Sequence, residues 1–420
     1  MTIVLFLIVL AILIFVHELG HFLTAKMFGI RVDEFAIGFP PKIFSFSLKK
    51  GNELEKVSES EEITIDEEIT KDGVLKETII DRRREIDVIR PNNKWQFWFG
   101  NKKGNEEEIK GTVYTVNLIP FGGFVKIFGE NPNDESIDGP DSKRSFVNVS
   151  KWRQIVVLLA GISMNIIFAW LLISASFNIG LVTSIDNQYK DNAKDVSVIV
   201  TSVMKDSPAE NAGMRPGDRI IKISSKKNPS IEDVQNMIAK SSGKLDIEYK
   251  RGNATGTVEV IATDNIVNGR KAIGISMDMA GVVKFGFFRS FLEGAKLTVI
   301  ETKNIAVGIC EFIKGAVTGQ AGILSDVSGP VGIANMVGQA ESMGLSYLLG
   351  FIAIISINLA VLNLIPFPAL DGGRALFVII EAVIRRRIKP AILNWTNAIG
   401  FAILIVFMLF ITYKDIAKLF

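Results

Sequence analysis

The sequence is poor in cysteine and histidine, and this narrows the chemistry that the chain can perform. Cys310 is the only cysteine, so an intramolecular disulfide framework is excluded. His17 and His21 are the only histidines, and any histidine chemistry must therefore use that pair. The formal net charge is only +2, and because nucleic-acid binding normally shows as a basic excess, we expect no nucleic-acid partner.

Four long apolar stretches contain no charged residue. A helix needs about 20 consecutive apolar residues to span a bilayer. The uncharged stretches are 1–16, 154–185, 342–370 and 391–413. We predict transmembrane helices at 1–26, 154–185, 342–373 and 391–413. The first stretch has neither a basic n-region nor an A-x-A cleavage pattern, which indicates an anchored helix and not a cleaved signal peptide. The predicted fold class is a polytopic α-helical membrane protein, with the lipid bilayer as a partner.

Basic residues cluster near the ends of these spans, and their placement predicts an orientation. The clusters are Lys26 and Arg31, Lys151 and Arg153, and Arg385, Arg386, Arg387 and Lys389. All three fall on one side if the N-terminus lies outside, and the positive-inside rule assigns that side to the cytoplasm. We therefore expect 27–153 in the cytoplasm and 186–341 outside, with Lys414 and Lys418 as a small exception.

The predicted cytoplasmic loop, 27–153, combines a membrane-associated β region with a charged insertion at 50–110. On both sides of the insertion, apolar and polar residues alternate between glycines and prolines, which predicts strands and hairpins. Four aromatic residues stand near the end of the insertion: Trp95, Phe97, Trp98 and Phe99. They either touch the membrane interface or form a small core of the insertion, and we favour the core.

The predicted outer segment begins with a small α/β domain at 186–280. Its predicted strands are 196–203, 220–224, 244–250, 256–262 and 272–277. A helix begins at Ser230, where Asp233 lies close to the capping-box position. In the following segment, 281–341, apolar residues recur at helical spacing among charged ones, which predicts an amphipathic helix on the membrane face or against the α/β domain.

His17, Glu18 and His21 form an H-E-x-x-H pattern, HELGH, directly after an apolar run. In a helix the two imidazoles lie one turn apart on one face, where both can bind one metal ion. Glu18 can take a proton from water at that metal, which is the chemistry of zinc proteases. The pattern also occurs by chance, but a charged residue inside a membrane helix costs roughly 2.5–3.5 kcal/mol, and this favours a functional role.

A catalytic zinc requires three protein ligands and an open position, so one further ligand has to come from elsewhere in the chain. No third histidine exists and Cys310 is expected outside the membrane, which leaves an aspartate or a glutamate. Asp371, in NLIPFPALDGG, ends an uncharged run on the same predicted side as His17 and His21. The prolines of this motif break the helix, which at membrane depth suits a hydrated site. An ordinary helix end with a Pro/Gly turn is the alternative.

Four motifs together resemble the site-2 protease family of intramembrane zinc metalloproteases, and most closely the bacterial regulator of sigma-E protease type. They are HELGH at 17–21, GGFVK at 122–126, GPVGIA at 329–334 and NLIPFPALDGG at 363–373. The resemblance covers nearly the whole chain except 50–110. LAGISMN at 159–165 departs from the family pattern, because Ile162 stands where the family usually has proline.

The resemblance implies roles for individual residues. The zinc ligands would be His17, His21 and Asp371, with Glu18 as the catalytic base. The substrate-positioning residues would be Asn363, Gly122, Gly123 and Phe124. The GGFVK segment would belong to a β-loop that offers a sheet edge to an unwound substrate strand.

The resemblance also implies a location and a substrate class. SPAENAGMRPGDRIIKI at 207–223 resembles part of a PDZ domain, so 186–280 would be an extracytoplasmic PDZ-like domain. The chain would be a multi-pass protein of a bacterial cytoplasmic membrane, with its active site near the cytoplasmic side. Substrates would be single-span membrane proteins, such as anti-sigma factors or signal-peptide remnants, cut within or near their transmembrane segments.

Two other protein classes stay open. A membrane-anchored PDZ scaffold with a degenerate metal site would not need Glu18, which is present. A transporter of metals or small solutes would carry polar or charged residues in several spans, and the predicted spans have few. The sequence predicts neither an oligomeric state nor a role for the insertion.

Overall fold

The computed structural model describes residues 2–69, 75–100, 111–131, 134–184, 192–252, 254–267, 270–319 and 327–417. Parts of the charged insertion, at 70–74 and 101–110, lie outside the described residues, as does Lys418.

The described residues form ten α-helices and twelve β-strands. The helices are α1 (Thr2–Met27), α2 (Asp134–Asp138), α3 (Lys151–Ile179), α4 (Pro208–Asn211), α5 (Ile231–Lys240), α6 (Phe287–Val317), α7 (Pro330–Ser342), α8 (Leu345–Leu364), α9 (Asp371–Ile384) and α10 (Pro390–Ala417). The strands are β1 (Val32–Ile69), β2 (Leu75–Phe99), β3 (Val113–Ile127), β4 (Leu181–Ser184), β5 (Ala193–Val203), β6 (Arg219–Ile223), β7 (Lys226–Lys227), β8 (Lys244–Arg251), β9 (Ala254–Ile261), β10 (Thr263–Val267), β11 (Arg270–Ala272) and β12 (Ile275–Val283).

Four helices of the described chain, α1, α3, α8 and α10, are long and apolar enough to cross a membrane. They contain 20 to 29 residues each, in line with the length that a bilayer requires. The number of predicted spans is thus confirmed, and the chain is a multi-pass membrane protein. The third span ends earlier than predicted, at Leu364, because Pro366 and Pro368 follow, and Asp371 starts a separate helix.

Helix α3 packs against α1, α8 and α9 and holds the bundle together. It continues without a break through Ile162, so the missing family proline leaves a regular, buried helix turn. The helix ends at Ile179 and is capped by Gly180. The last part of the apolar run at 154–185 forms the strand β4 instead. We did not predict β4, because an apolar strand that directly continues a membrane helix has no pattern of its own.

The amphipathic segment after the α/β domain forms α6, which packs against α3. The indole nitrogen of Trp170 in α3 donates to the carbonyl oxygen of Phe291 in α6 at 2.8 Å. Phe287, Phe288 and Leu292 of α6 are exposed in the described structure. The helix therefore adds to the side of the bundle, and these three apolar side chains stay exposed there.

Helix α10 is mostly exposed along its length and is held at its last turn by a buried carboxylate. Asp415 accepts hydrogen bonds from the backbone amides of Gly329 and Gly332, each at 2.8 Å. These amides belong to the first turn of α7, where backbone donors lack helical partners and the helix dipole favours an anion. The GPVGIA segment is thus the docking point of α10 on α7.

The first sheet has the strand order β2-β1-β3, with antiparallel pairing. The long β1–β2 hairpin carries the charged insertion and is paired from Phe44–Phe99 to Ile69–Leu75, with one register shift between Thr64 and Glu67. Our preference for a small aromatic core in this region was wrong. Trp95 and Phe97 are 54% and 62% exposed, and they pack against neighbouring rings such as Phe46 on the face of the sheet.

The second sheet has the order β4-β12-β5-β6-β8-β9, with β7 paired to β6, and it contains the strands predicted for 186–280. Helix α5 covers one face, and its start confirms the capping pattern. The Ser230 hydroxyl accepts from the amide of Asp233 at 3.2 Å, and the Asp233 carboxylate accepts from the amide of Ser230 at 2.9 Å. A hydrogen bond from Lys226 lowers the pKa of the exposed Asp233 carboxyl to about 2.

The basic clusters and the second sheet lie at opposite ends of the helix bundle. At one end, Phe28 after α1 contacts Trp152 of α3, with ring centroids 5.2 Å apart, and Lys151 pairs with Glu381 of α9 at 2.5 Å. At the other end, Phe285 after β12 contacts Phe177 near the end of α3. The three clusters therefore share one side of the bundle, as the predicted orientation requires.

Candidate metal centre

Three side chains from distant parts of the sequence converge inside the bundle. Oδ2 of Asp371 lies 2.9 Å from Nε2 of His17 and 3.3 Å from Nε2 of His21. The two Nε2 atoms are 3.2 Å apart. Among the described residues, His17, His21 and Asp371 form the cluster of possible metal ligands, and their ligand atoms lie close enough together to bind one ion.

The two histidines share one face of α1 because they are one turn apart. This face packs against α3, and both side chains are only 7% exposed. Their rings occupy the space left by Gly161 of α3. A Cβ atom at Gly161 would lie 2.4 Å from Nε2 of His21 and 2.9 Å from Cε1 of His17, closer than atoms can approach. A glycine at this position of α3 is therefore a steric requirement of the histidine pair.

Asp371 reaches the histidines because the chain turns sharply between α8 and α9. Helix α8 ends at Leu364, and Ala369 adopts a φ of 74° before the first residue of α9. Its amide donates to Oδ1 of Asn397 in α10 at 3.3 Å. Side chains at the two following glycines, 372 and 373, would collide with carbonyl groups of this turn at 2.4 and 2.1 Å. The LDGG sequence thus permits the tight turn that aims the carboxylate inward.

Ion pairs hold α9 in place at two points along the helix. Arg374 pairs with Glu130, which follows β3, and so joins α9 to the end of the first sheet. Lys151 at the start of α3 pairs with the buried Glu381 at 2.5 Å. The helix that begins with Asp371 is therefore attached to both elements that flank the histidines.

The outer nitrogens of both rings have partners on α3. Nδ1 of His21 lies 2.8 Å from the carbonyl oxygen of Val157, and Nδ1 of His17 lies 3.2 Å from the side-chain amide nitrogen of Asn165. A carbonyl can only accept, so Nδ1 of His21 carries the proton and Nε2 keeps its lone pair toward the cluster. Metal-binding histidines are usually held in this way.

The donor set and its spacing fit zinc. Two imidazole nitrogens and a carboxylate oxygen are its usual ligands in hydrolytic sites, with a fourth position left for water or substrate. Two ligands at about 2.0–2.1 Å from a tetrahedral ion lie roughly 3.3–3.4 Å apart. The three observed separations, 2.9, 3.2 and 3.3 Å, are close to that value.

Glu18 lies beside the cluster and contacts the first sheet. Its Oε2 accepts a hydrogen bond from the backbone amide of Val125 in β3 at 3.1 Å. The GGFVK segment that contains Val125 therefore borders the site. Gly122 in this segment has a φ of 89°, and the ring of Phe124 stacks on Phe39 of β1 with centroids 6.4 Å apart.

The structure brings four of the eight predicted site residues together. Three of them, His17, His21 and Asp371, form the cluster, and Glu18 lies next to it. Asn363 lies half-buried in the last turn of α8, ahead of the loop that leads to Asp371. The substrate-positioning roles of Asn363, Gly122, Gly123 and Phe124 stay predictions.

Sequence reasoning missed the contribution of α3. Neither the Gly161 gap nor the Asn165 contact was predicted, although LAGISMN contains both residues. A buried polar residue in an otherwise apolar span was the available signal, because such residues are costly in a membrane and tend to be functional.

An H-E-x-x-H helix and an aspartate that meet inside a membrane bundle define an intramembrane metalloprotease. The model of the Peptidase family M50 matches residues 5–55 and 95–407, and the chain belongs to this family, that of the site-2 proteases. The chain is a zinc metalloprotease that acts in regulated intramembrane proteolysis. Between the two matched parts, residues 56–94 are unmatched, and they lie within the charged insertion.

Similar proteins cover the full length of the chain. A Clostridium perfringens protein, described provisionally as a zinc metalloprotease, is 33% identical over 99% of this chain and 98% of its own. The regulator of sigma-W protease RasP of Bacillus subtilis is 30% identical over 100% of this chain and 99% of its own. The solved PDZ domain of an SdrC-like protein of Listeria monocytogenes is 26% identical and covers 19% of this chain and 86% of that chain, with a TM-score of 0.18.

Proposed function

We propose that the chain hydrolyses peptide bonds within or near the transmembrane segments of single-span membrane proteins. In this proposal His17, His21 and Asp371 bind zinc, and Glu18 is the catalytic base. The observation that carries it is the convergence of the three side chains within 3.3 Å of one another, inside helices that are apolar enough to cross a membrane.

Zinc held by His17, His21 and Asp371 would supply Lewis acidity, which would polarise the scissile carbonyl and make water a better nucleophile at neutral pH. Glu18 takes a proton from the attacking water and passes it to the leaving amine. The hydrogen bond from Val125 holds one carboxylate oxygen of Glu18 at 3.1 Å. The second oxygen remains available for the proton transfer.

The substrate is presented as an extended strand. A helical substrate has its carbonyls engaged in its own hydrogen bonds, so it has to unwind before it can be cut. Residues 123–127 pair with 32–37 of β1 on one side, and Val125 turns its amide away from that pairing toward Glu18. An unwound segment that adds at this edge would lie beside the base. Gly122, Gly123 and Phe124 would guide it, and Asn363 would help to position its backbone.

The proposed orientation has the N-terminus and the second sheet outside the bacterial cytoplasmic membrane, and the metal site near the cytoplasmic side. It is supported by the basic clusters, which share the end of the bundle away from the second sheet. The domain at 186–280 is PDZ-like in this proposal and screens substrates by their size or their C-terminus. The name of the Bacillus subtilis relative, regulator of sigma-W protease, supports anti-sigma factors as substrates.

Co-expression with a panel of single-span proteins tests this function. The panel includes anti-sigma factors and signal-peptide remnants, and the wild-type chain is compared with Glu18→Gln. We expect cleavage of at least one candidate by the wild type and none by the variant, while the zinc content of both purified proteins is equal. His21→Ala, the metal control, should lose zinc. Cleavage by Glu18→Gln at the wild-type rate would overturn the assigned mechanism.

A further inference from the structure

Asn165 is a polar side chain in the middle of the apolar helix α3. The residue is completely buried, and its neighbours in α3 at 162, 169 and 173 are buried apolar residues. Burying an amide without hydrogen bonds is strongly unfavourable in apolar surroundings. A buried amide at this position is therefore expected to have a hydrogen-bond partner or a functional role.

The partner of Asn165 is the outer nitrogen of His17. Nδ2 of Asn165 lies 3.2 Å from Nδ1 of His17, while Oδ1 of Asn165 has no hydrogen-bond partner among the residues that the structure describes. The backbone carbonyl of Asn165 accepts from the hydroxyl of Ser356 in α8 at 2.9 Å. The backbone of α3 at Asn165 is thus fixed against α8, while the side-chain amide lies beside the His17 ring of α1.

An amide group suits this position because it can present either of its ends. When Nε2 of His17 binds a metal ion, its lone pair is used there, and the ring proton is on Nδ1. A half-turn of the amide would exchange Nδ2 for Oδ1 with little change in shape, and Oδ1 would then face Nδ1 at a similar distance and accept that proton. The carbonyl oxygen of Val157 does the same for His21 at 2.8 Å.

We propose that Asn165 is a positioning residue of the metal centre, which accepts the Nδ1 proton of His17 through Oδ1 and keeps Nε2 directed at the zinc. This inference rests on the proposed role of His17 as a ligand. Outer partners of this kind fix the tautomer and the orientation of a metal-binding ring, and their loss typically costs 10–100-fold in metal affinity.

Zinc affinity of the purified full chain, measured by competition with a chromophoric chelator, tests the proposal. Asn165→Leu keeps the approximate size but removes the acceptor, and we expect about 10–100-fold weaker zinc binding. Asn165→Asp keeps an acceptor oxygen, and we expect zinc binding at least as tight as in the wild type. The visible spectrum of the cobalt-loaded protein should change in Asn165→Leu and return toward the wild type in Asn165→Asp.

Two controls separate the possible failures. Asn358→Leu removes another asparagine from a membrane helix and should leave zinc affinity unchanged. In the part of the chain that the structure describes, the Asn358 amide donates to the carbonyl oxygen of Ile354 in its own helix at 2.9 Å. If His17→Ala binds zinc as tightly as the wild type, the proposed metal site itself is wrong. If His17→Ala loses affinity but Asn165→Leu does not, only the role of Asn165 is overturned. Should Asn165→Leu not fold, Asn165→Ala provides the same comparison with Asn165→Asp.

Discussion

The backbone amide of Val125 donates a hydrogen bond to the carboxylate of Glu18 at 3.1 Å. This bond joins the candidate base on α1 to the strand segment at the edge of the first sheet. The bond therefore fixes the position of the candidate base relative to the strand edge that would receive a substrate. A small displacement of the strand should disturb both.

Gly123→Ala should reduce cleavage without reducing zinc binding. A Cβ atom at this position would lie 2.6 Å from the carbonyl oxygen of Ala36, so the edge segment must move away from β1. Because a misplacement of about 1 Å can cost about 100-fold in rate, we expect a loss of that order. Cleavage of a model substrate and zinc affinity are measured together. Gly286→Ala, where the added atom meets open space, is the control.

Gly161→Ala should weaken zinc binding by tenfold or more, in contrast to Gly123→Ala. The added methyl group would lie 2.4 Å from Nε2 of His21, one of the proposed ligand atoms. Alanine is favoured over glycine in a helix by about 1 kcal/mol, so backbone preference cannot explain a loss. Gly308→Ala in α6, with no atom within 4 Å of the new methyl group, is the matched control. Wild-type zinc affinity in Gly161→Ala would contradict the packing described here.

The sequence predicted local features better than contacts between distant helices. The i, i+4 spacing of His17 and His21 follows from helix geometry alone. Asp371 could be predicted from the sequence because a carboxylate that ends an uncharged span is unusual. Asn165 and Gly161 contact the histidines across a helix pair separated by more than 100 residues, and no local pattern encodes which face of α3 meets α1. The ligand roles themselves stay predictions.

In the first sheet, too, the sequence predicted local features better than contacts between distant residues. Alternation predicted strands on both sides of the insertion, and these strands are present in β1 and β3. The insertion itself pairs into a long hairpin, although its charged sequence has no apolar alternation that would predict it. The pairing of 32–37 with two separate parts of β3, at 113–116 and 123–127, is non-local and had no signal in the sequence.

Asp415→Ala should destabilise the fold without changing the metal site. The carboxylate accepts two backbone hydrogen bonds from the start of α7, and a hydrogen bond to a charged group contributes roughly 1.5–3 kcal/mol. We expect a lower thermal unfolding temperature and wild-type zinc affinity, since Asp415 lies at the end of α10 away from the basic clusters. Asp415→Asn keeps one acceptor oxygen, so its thermal unfolding temperature should fall less than that of Asp415→Ala. An unchanged unfolding temperature in Asp415→Ala would show that α10 is held by other contacts.

Removal of most of the charged hairpin should leave the protease intact. Lys50 and Asn93 are paired across β1 and β2, so a two-residue Asn-Gly turn can replace 51–92 and close the shortened hairpin. The family model matches the chain on either side but not 56–94, which argues that the metal site is built without this segment. We expect zinc affinity and cleavage of a model substrate within about twofold of the full chain, an allowance that corresponds to roughly 0.4 kcal/mol. Loss of cleavage with retained zinc would instead assign the hairpin a role in substrate capture.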